Sequence, residues 1–184
     1  MNTQRGATVA DLYATPDKAE LVDRRLLYIG PTGAIPGYAG DQITHELLDY
    51  AEQTGRGMAV GDNKAFLVDL PHRQSFSPCA ALFMGPPAGM KFFDGAPIFA
   101  AEVRSEGDYG PAAERAIATK RRDYFTAGTL VVWDVDLQSP DVVRVYRADT
   151  PDTPTIYRRG EQAEAEPAVP GWTMPVDGLF RKGT

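Results

Sequence analysis

One cysteine, Cys79, stands in a chain of 184 residues, so no disulfide can form within it. Two histidines accompany it, too few to complete a zinc site of the cysteine and histidine kind. These scarcities exclude disulfide-stapled secreted scaffolds and zinc modules together. No apolar run approaches the about 18 residues of a membrane span, and Met1 to Arg5 lacks the apolar segment of a signal peptide. The expectation is a cytoplasmic protein with no membrane partner. Positive charge is also short: 19 lysines and arginines face 25 acidic residues, for a formal net charge of −6. That balance argues against a nonspecific nucleic-acid coat, because duplex affinity comes largely from phosphate neutralisation. It leaves open a local basic groove, or a metal site that brings its own positive charge. There is no internal repeat, no heptad and no glycine loop of the phosphate-cradling kind.

What is present suffices for a packed core, with 43% hydrophobic residues over a length that folds without staples. We read residues 1–184 as one α/β domain organised around the stretch from Ile98 to Val135. Ile98 to Val103 is a short apolar run with Glu102 embedded in it, which suits a strand buried on both faces. Pro111 then opens a helix that Gly128 stops. The helix carries an apolar stripe of Ala113, Ile117, Tyr124 and Ala127, and Lys120 falls where a core residue should complete it. Thr129 to Val135 is a second apolar run rich in β-branched residues. Strand, helix and strand form a right-handed crossover, and that crossover can bring Lys120 toward Glu102.

Around this unit the chain reads as short strands and one further helix. Ala19 to Val22 and Arg25 to Ile29 form a hairpin about Asp23-Arg24, with Glu20 on its first strand as a solvated residue. Ile29 to Gly40 reads as a loop, after which Asp41 caps a helix with the stripe Ile43, Leu47, Tyr50 and Ala51. His45 and Glu46 fall off that stripe. Residues 57–60 and 64–70 read as strands, Cys79 to Phe83 as another entered through Pro78, and Val142 to Tyr146 as an antiparallel partner of 129–135. Asp149 to Pro154 reads as a turn, with edge strands at 155–158 and 172–176. A carboxylate and a lysine inside the central unit call for a physical role. One is a structural ion pair between Glu102 and Lys120. The other is phosphodiester hydrolysis, which uses carboxylates at strand ends to hold a hard divalent cation and a lysine to stabilise charge on phosphate.

The ordered set Ser77-Pro-Cys-Ala-Ala-Leu82, Phe93 through Gly110, Lys120 with Tyr124, Gly128 to Val135 and Val142 to Tyr146 resembles the Uma-two-type restriction endonuclease family, within the PD-(D/E)XK nuclease superfamily. The resemblance covers nearly the whole chain, including the hairpin with Glu20. It implies a restriction-endonuclease-like core, a mixed β-sheet flanked by helices. It also implies a metal-dependent DNA endonuclease using Mg²⁺, with Mn²⁺ as a substitute, in which the motif glutamate is Glu102 and the lysine has moved to the following helix as Lys120. Where the family pattern has its metal-binding aspartate, this chain has Cys79. A thiol is a soft and mostly protonated ligand, a poor partner for magnesium. The expected site is therefore Glu102, Lys120 and Cys79 as catalytic residues, with Glu102, Cys79 and Glu20 around the metal and activity attenuated by the cysteine. The alternative is a non-catalytic protein of the same fold that binds DNA or assembles with itself. DNA and a second copy of the chain are the expected partners, since cutting a duplex needs two sites. Arg104 is a surface residue or a phosphate contact, Asp108 precedes the second helix, and part of Lys120-Arg121-Arg122 faces DNA.

Overall fold

The computed structural model describes residues 6–181. After a short helix, α1 (Val9–Ala14), come the hairpin strands β1 (Ala19–Val22) and β2 (Arg25–Tyr28), then the long helix α2 (Ala34–Thr54). Strands β3 (Met58–Gly61), β4 (Phe66–Leu67), β5 (Ser75–Phe76), β6 (Ala80–Phe83), β7 (Phe93–Asp94) and β8 (Phe99–Val103) lead to helix α3 (Pro111–Thr126). Strands β9 (Val131–Val135), β10 (Val143–Arg147), β11 (Thr150–Tyr157), β12 (Gln162–Glu164) and β13 (Thr173–Pro175) follow, with a closing 3-10 turn at Val176–Leu179.

The main sheet has six strands in the order β11-β10-β9-β8-β6-β3. Its one parallel pair is β8 with β9, in register from Phe99 opposite Val131 to Val103 opposite Val135, and α3 connects the two. The other neighbouring pairs are antiparallel, so the sheet is mixed. Side-chain alternation divides its faces. Phe99, Ala101 and Val103 of β8 pack with Ile43 and Leu47 of α2, while Ala100 packs with Tyr124 of α3 and Val132 of β9. Helices α2 and α3 each cover one face. Among the described residues no helix is long and apolar enough to cross a membrane.

Three segments differ from the sequence reading. Helix α2 begins at Ala34, seven residues before the expected cap at Asp41. Pro36 lies in its first turn, where a helix N–H has no internal partner to lose, and the Gly37 N–H closes on the Gly33 carbonyl at 2.9 Å. Gly40 lies within the helix against Cys79, and a Cβ there would lie 3.5 Å from Cys79 Cβ, an ordinary contact. Of the strand expected over 64–70, Phe66 and Leu67 alone pair, between β5 and β7 in a separate three-stranded sheet. Of the turn expected at 149–154, Asp149 is in a turn, but residues 150–154 are the first part of β11, which tolerates Pro151 and Pro154 because it is the sheet's edge strand.

Candidate active site

Glu102 is the one carboxylate of β8, and alternation along that strand turns it from the α2 face to the α3 face. On α3, Lys120 and Tyr124 stand one helical turn apart and meet it there. Lys120 Nζ lies 2.8 Å from Glu102 Oε1, and the Tyr124 hydroxyl donates to the same oxygen at 2.7 Å. Lys120 Nζ is also 2.8 Å from Glu20 Oε1, so one ammonium joins the hairpin to the central strand.

The hairpin is held in place by the segment between β4 and β6. The Gln74 N–H donates to the Leu21 carbonyl at 2.8 Å and the Asp23 N–H to the His72 carbonyl at 2.6 Å. This lays Arg73 beside Glu20. Arg73 donates from Nη1 to Glu20 Oε2 at 2.6 Å and from Nε to Asp123 Oδ2 at 2.8 Å, while His72 Nε2 sits 2.8 Å from Asp123 Oδ1. The Ser77 N–H donates to Glu20 Oε1 at 2.9 Å. Asp123, Arg73, Glu20, Lys120 and Glu102 thus form a row that alternates in sign. Glu20, Arg73, Lys120, Glu102 and Tyr124 line a cleft of about 250 Å³ whose apolar wall includes Leu27 and Ile117.

Glu20 is therefore not the solvated strand residue expected. It is 4% exposed, and both its oxygens are engaged. Burial pushes its carboxyl pKa up, but Lys120 and Arg73 outweigh that and hold it below the ordinary 4.5. Burial likewise works against the Lys120 charge, yet Glu102 and Glu20 raise its pKa above the ordinary 10.5. Lys120 is an ammonium at neutral pH. It supplies fixed positive charge, not a base. Tyr124 is raised well above 10.0 by burial and the two glutamates, so its hydroxyl remains a donor.

A pH dependence follows from Glu20. A carboxyl whose folded pKa is depressed stabilises the fold fully above its unfolded value near 4.5 and loses that contribution as pH falls through the folded value. Melting temperatures recorded from neutral pH downward are expected to fall more steeply below pH 4.5 for the native protein than for Glu20→Gln. Parallel curves would remove Glu20 from the acid transition.

Cys79 does not join this row. Its N–H donates to the Ala101 carbonyl at 3.0 Å, and its Sγ accepts the Val103 N–H at 3.4 Å. The side chain packs against the cluster on the α2 face and does not line the cleft. Burial first, then the charge on Glu102, pushes its pKa up to about 11, so near neutral pH it is an uncharged thiol. Among the described residues no three His, Cys, Asp or Glu side chains are grouped to hold a metal ion. The expected ligand set of Glu102, Cys79 and Glu20 is thus not assembled. The Glu20 oxygens are taken by Ser77, Lys120 and Arg73, and the Cys79 thiol by main chain. Among the described residues both polar contacts of Glu102 use Oε1, which leaves Oε2 as the hard donor without a partner there.

Arg104 is neither a surface residue nor an available phosphate contact. It is 9% exposed and donates to Asp134 from Nε at 2.7 Å and Nη2 at 2.8 Å, with Glu114 as a second partner. Asp108 accepts the Ser105 N–H at 2.7 Å in the loop before α3, as its position suggested. His45 and Glu46 lie away from the cleft. Arg73 and Asp123 are the members that sequence reasoning missed. Asp123 had a signal, standing three residues from Lys120 on one helix. Arg73 had none, because the two-residue strand after it has no readable period.

The model for the family described as "Uma2: Putative restriction endonuclease" matches residues 8–177 of the chain. None of the curated proteins compared matches it. Among solved structures, a putative nuclease of the DUF820 group from Anabaena variabilis superposes with a TM-score of 0.73 at 12% sequence identity, covering 94% of this chain and 97% of that one. At that identity the likeness is one of fold. It fits the mixed sheet flanked by helices, a restriction-endonuclease-like core.

Proposed function

The chain belongs to the Uma2 family of putative restriction endonucleases, and from that membership together with the chemistry of the cleft we propose that it is a DNA endonuclease dependent on a divalent metal and attenuated by Cys79. The observation that carries this reading is the meeting of Glu20, Lys120 and Glu102, three side chains far apart in sequence, at contacts of 2.8 Å in one cleft. Glu102 would hold Mg²⁺ through its free oxygen, with water and the substrate phosphate completing the shell, since magnesium is commonly bound by one or two carboxylates plus phosphate oxygens. When bound, the cation supplies Lewis-acid stabilisation of charge developing on the phosphate. The chain's own groups do the rest. Glu20 and Arg73 fix the Lys120 ammonium in place, Tyr124 fixes the Glu102 carboxylate, and Lys120 presents positive charge where the pentavalent phosphate gathers negative charge. Cutting both strands of a duplex needs two such clefts, so a dimer is part of the proposal, checked by sedimentation of the free protein.

The uncharged thiol of Cys79 favours a second reading, a non-catalytic protein of the same fold that binds DNA or assembles with itself. Calorimetric titration with Mg²⁺ and Mn²⁺ alongside a plasmid-nicking assay separates the two. The first reading expects metal binding and cleavage; the second expects neither. Lys120→Met sharpens the comparison. Removing the ammonium leaves two carboxylates facing one another, so metal affinity is expected to rise while nicking falls by about 100-fold or more. Unchanged nicking in Lys120→Met would take Lys120 out of the mechanism.

A further inference from the structure

Four cations line the cleft, and three of them are neutralised by neighbours. Arg73 is shared by Glu20 and Asp123, Arg104 by Asp134 and Glu114, and Lys120 by Glu20 and Glu102. The fourth is Arg121. Among the described residues it makes no ion pair, and its buried Nε has no hydrogen-bond partner. Its guanidinium lies over the Tyr146 ring with Cζ 3.6 Å from the centroid. Stacking of this kind fixes the plane of the group while leaving its edge donors unused. A flat, oriented arginine without an anion, next in sequence to Lys120 and in the same cleft, suits a phosphate oxygen.

We propose that Arg121 is the phosphodiester-binding residue of the cleft, held flat by Tyr146 with its Nε buried, so that its Nη donors take a backbone phosphate of nucleic acid beside Lys120. The proposal rests on the nuclease reading and names a contact within it. It also accounts for an acidic protein engaging a polyanion: one unneutralised arginine at the site does what the net charge of −6 cannot.

The test is the fluorescence anisotropy of a short labelled DNA duplex titrated with the whole protein in metal-free buffer over a range of salt concentrations. The native protein, Arg121→Gln, Arg121→Lys and Arg115→Gln are compared, the last being an exposed arginine of the same helix. Arg121→Gln is expected to weaken binding about tenfold and to flatten the salt dependence by about one phosphate contact. Arg121→Lys should keep the salt slope and lose part of the affinity, because charge survives but the plane does not. Arg115→Gln should change neither, and the melting temperatures of all three variants should stay within a few degrees of the native protein. Native-like affinity and slope in Arg121→Gln, or an equal loss in Arg115→Gln, would overturn the assignment of Arg121 alone. Failure of the native protein to bind DNA at any salt concentration would overturn this assignment, while the nuclease reading stands or falls separately on nicking with Mg²⁺ or Mn²⁺.

Discussion

Glu20→Gln is expected to destabilise the fold by about 3–5 kcal/mol, the usual consequence of removing one member of a buried ion pair. The amide keeps the size of the side chain and can still accept the Ser77 N–H. It cannot neutralise Arg73, which is 6% exposed, or its share of Lys120. Asp123 and Glu102 remain as partners, which places the effect within that range and not above it. For a chain of this size each kcal/mol shifts the melting temperature by roughly 2–4 °C, so a fall of roughly 6–20 °C should appear in a calorimetric scan at neutral pH. A fall below about 2 °C would mean that the hairpin carboxylate is not an essential part of the network.

Cys79→Asp is expected to raise function, where substitution of Lys120 or Glu102 lowers it. The position sits between two strands, against the Val103 N–H, and within electrostatic reach of Glu102. An aspartate there adds a hard oxygen donor, whose carboxylate must turn from the Val103 N–H and the α2 face toward Glu102 to share a metal with it. Without metal it adds a second negative charge near Glu102 in a buried place, which raises the pKa of one carboxylate and lowers the melting temperature. With Mg²⁺ at about 100 times its dissociation constant, binding returns about 2.7 kcal/mol. Nicking should rise about 100-fold or more, the scale on which single charge-stabilising groups act in catalysis. Mn²⁺ accepts softer ligands, so residual activity of the native protein should be greater with Mn²⁺ than with Mg²⁺. A folded Cys79→Asp protein that neither gains stability from metal nor cuts DNA would favour the non-catalytic reading.

The central unit was legible in the sequence because two periods changed in succession. The apolar run ending at Val103, the helical stripe through Ile117 and Tyr124, and the run ending at Val135 became β8, α3 and β9 within a residue or two at most ends. Glu102 and Lys120 stood out because each broke its pattern, and they are in contact. Glu20 was misjudged as solvated because a four-residue strand shows no clear buried face. Its burial comes from Arg73, about fifty residues away, in a segment whose pairing is tertiary. Arg104 escaped for the same reason, since its partner Asp134 lies on the adjacent parallel strand and no local pattern announces that pairing. The early start of α2 was hidden by glycines and a proline that usually mark loops. One of them, Gly40, packs inside the helix against Cys79.

The central claim is that the Glu102 and Lys120 cleft cuts phosphodiester bonds, and the measurement closest to it is nicking of supercoiled plasmid by the native protein and by Glu102→Gln in Mn²⁺, with chelator added as the blank. The account predicts cleavage by the native protein that chelator stops, and a loss of about 100-fold or more in Glu102→Gln although that variant remains folded. Equal cleavage by the two proteins, or none by the native protein with either metal, would contradict it.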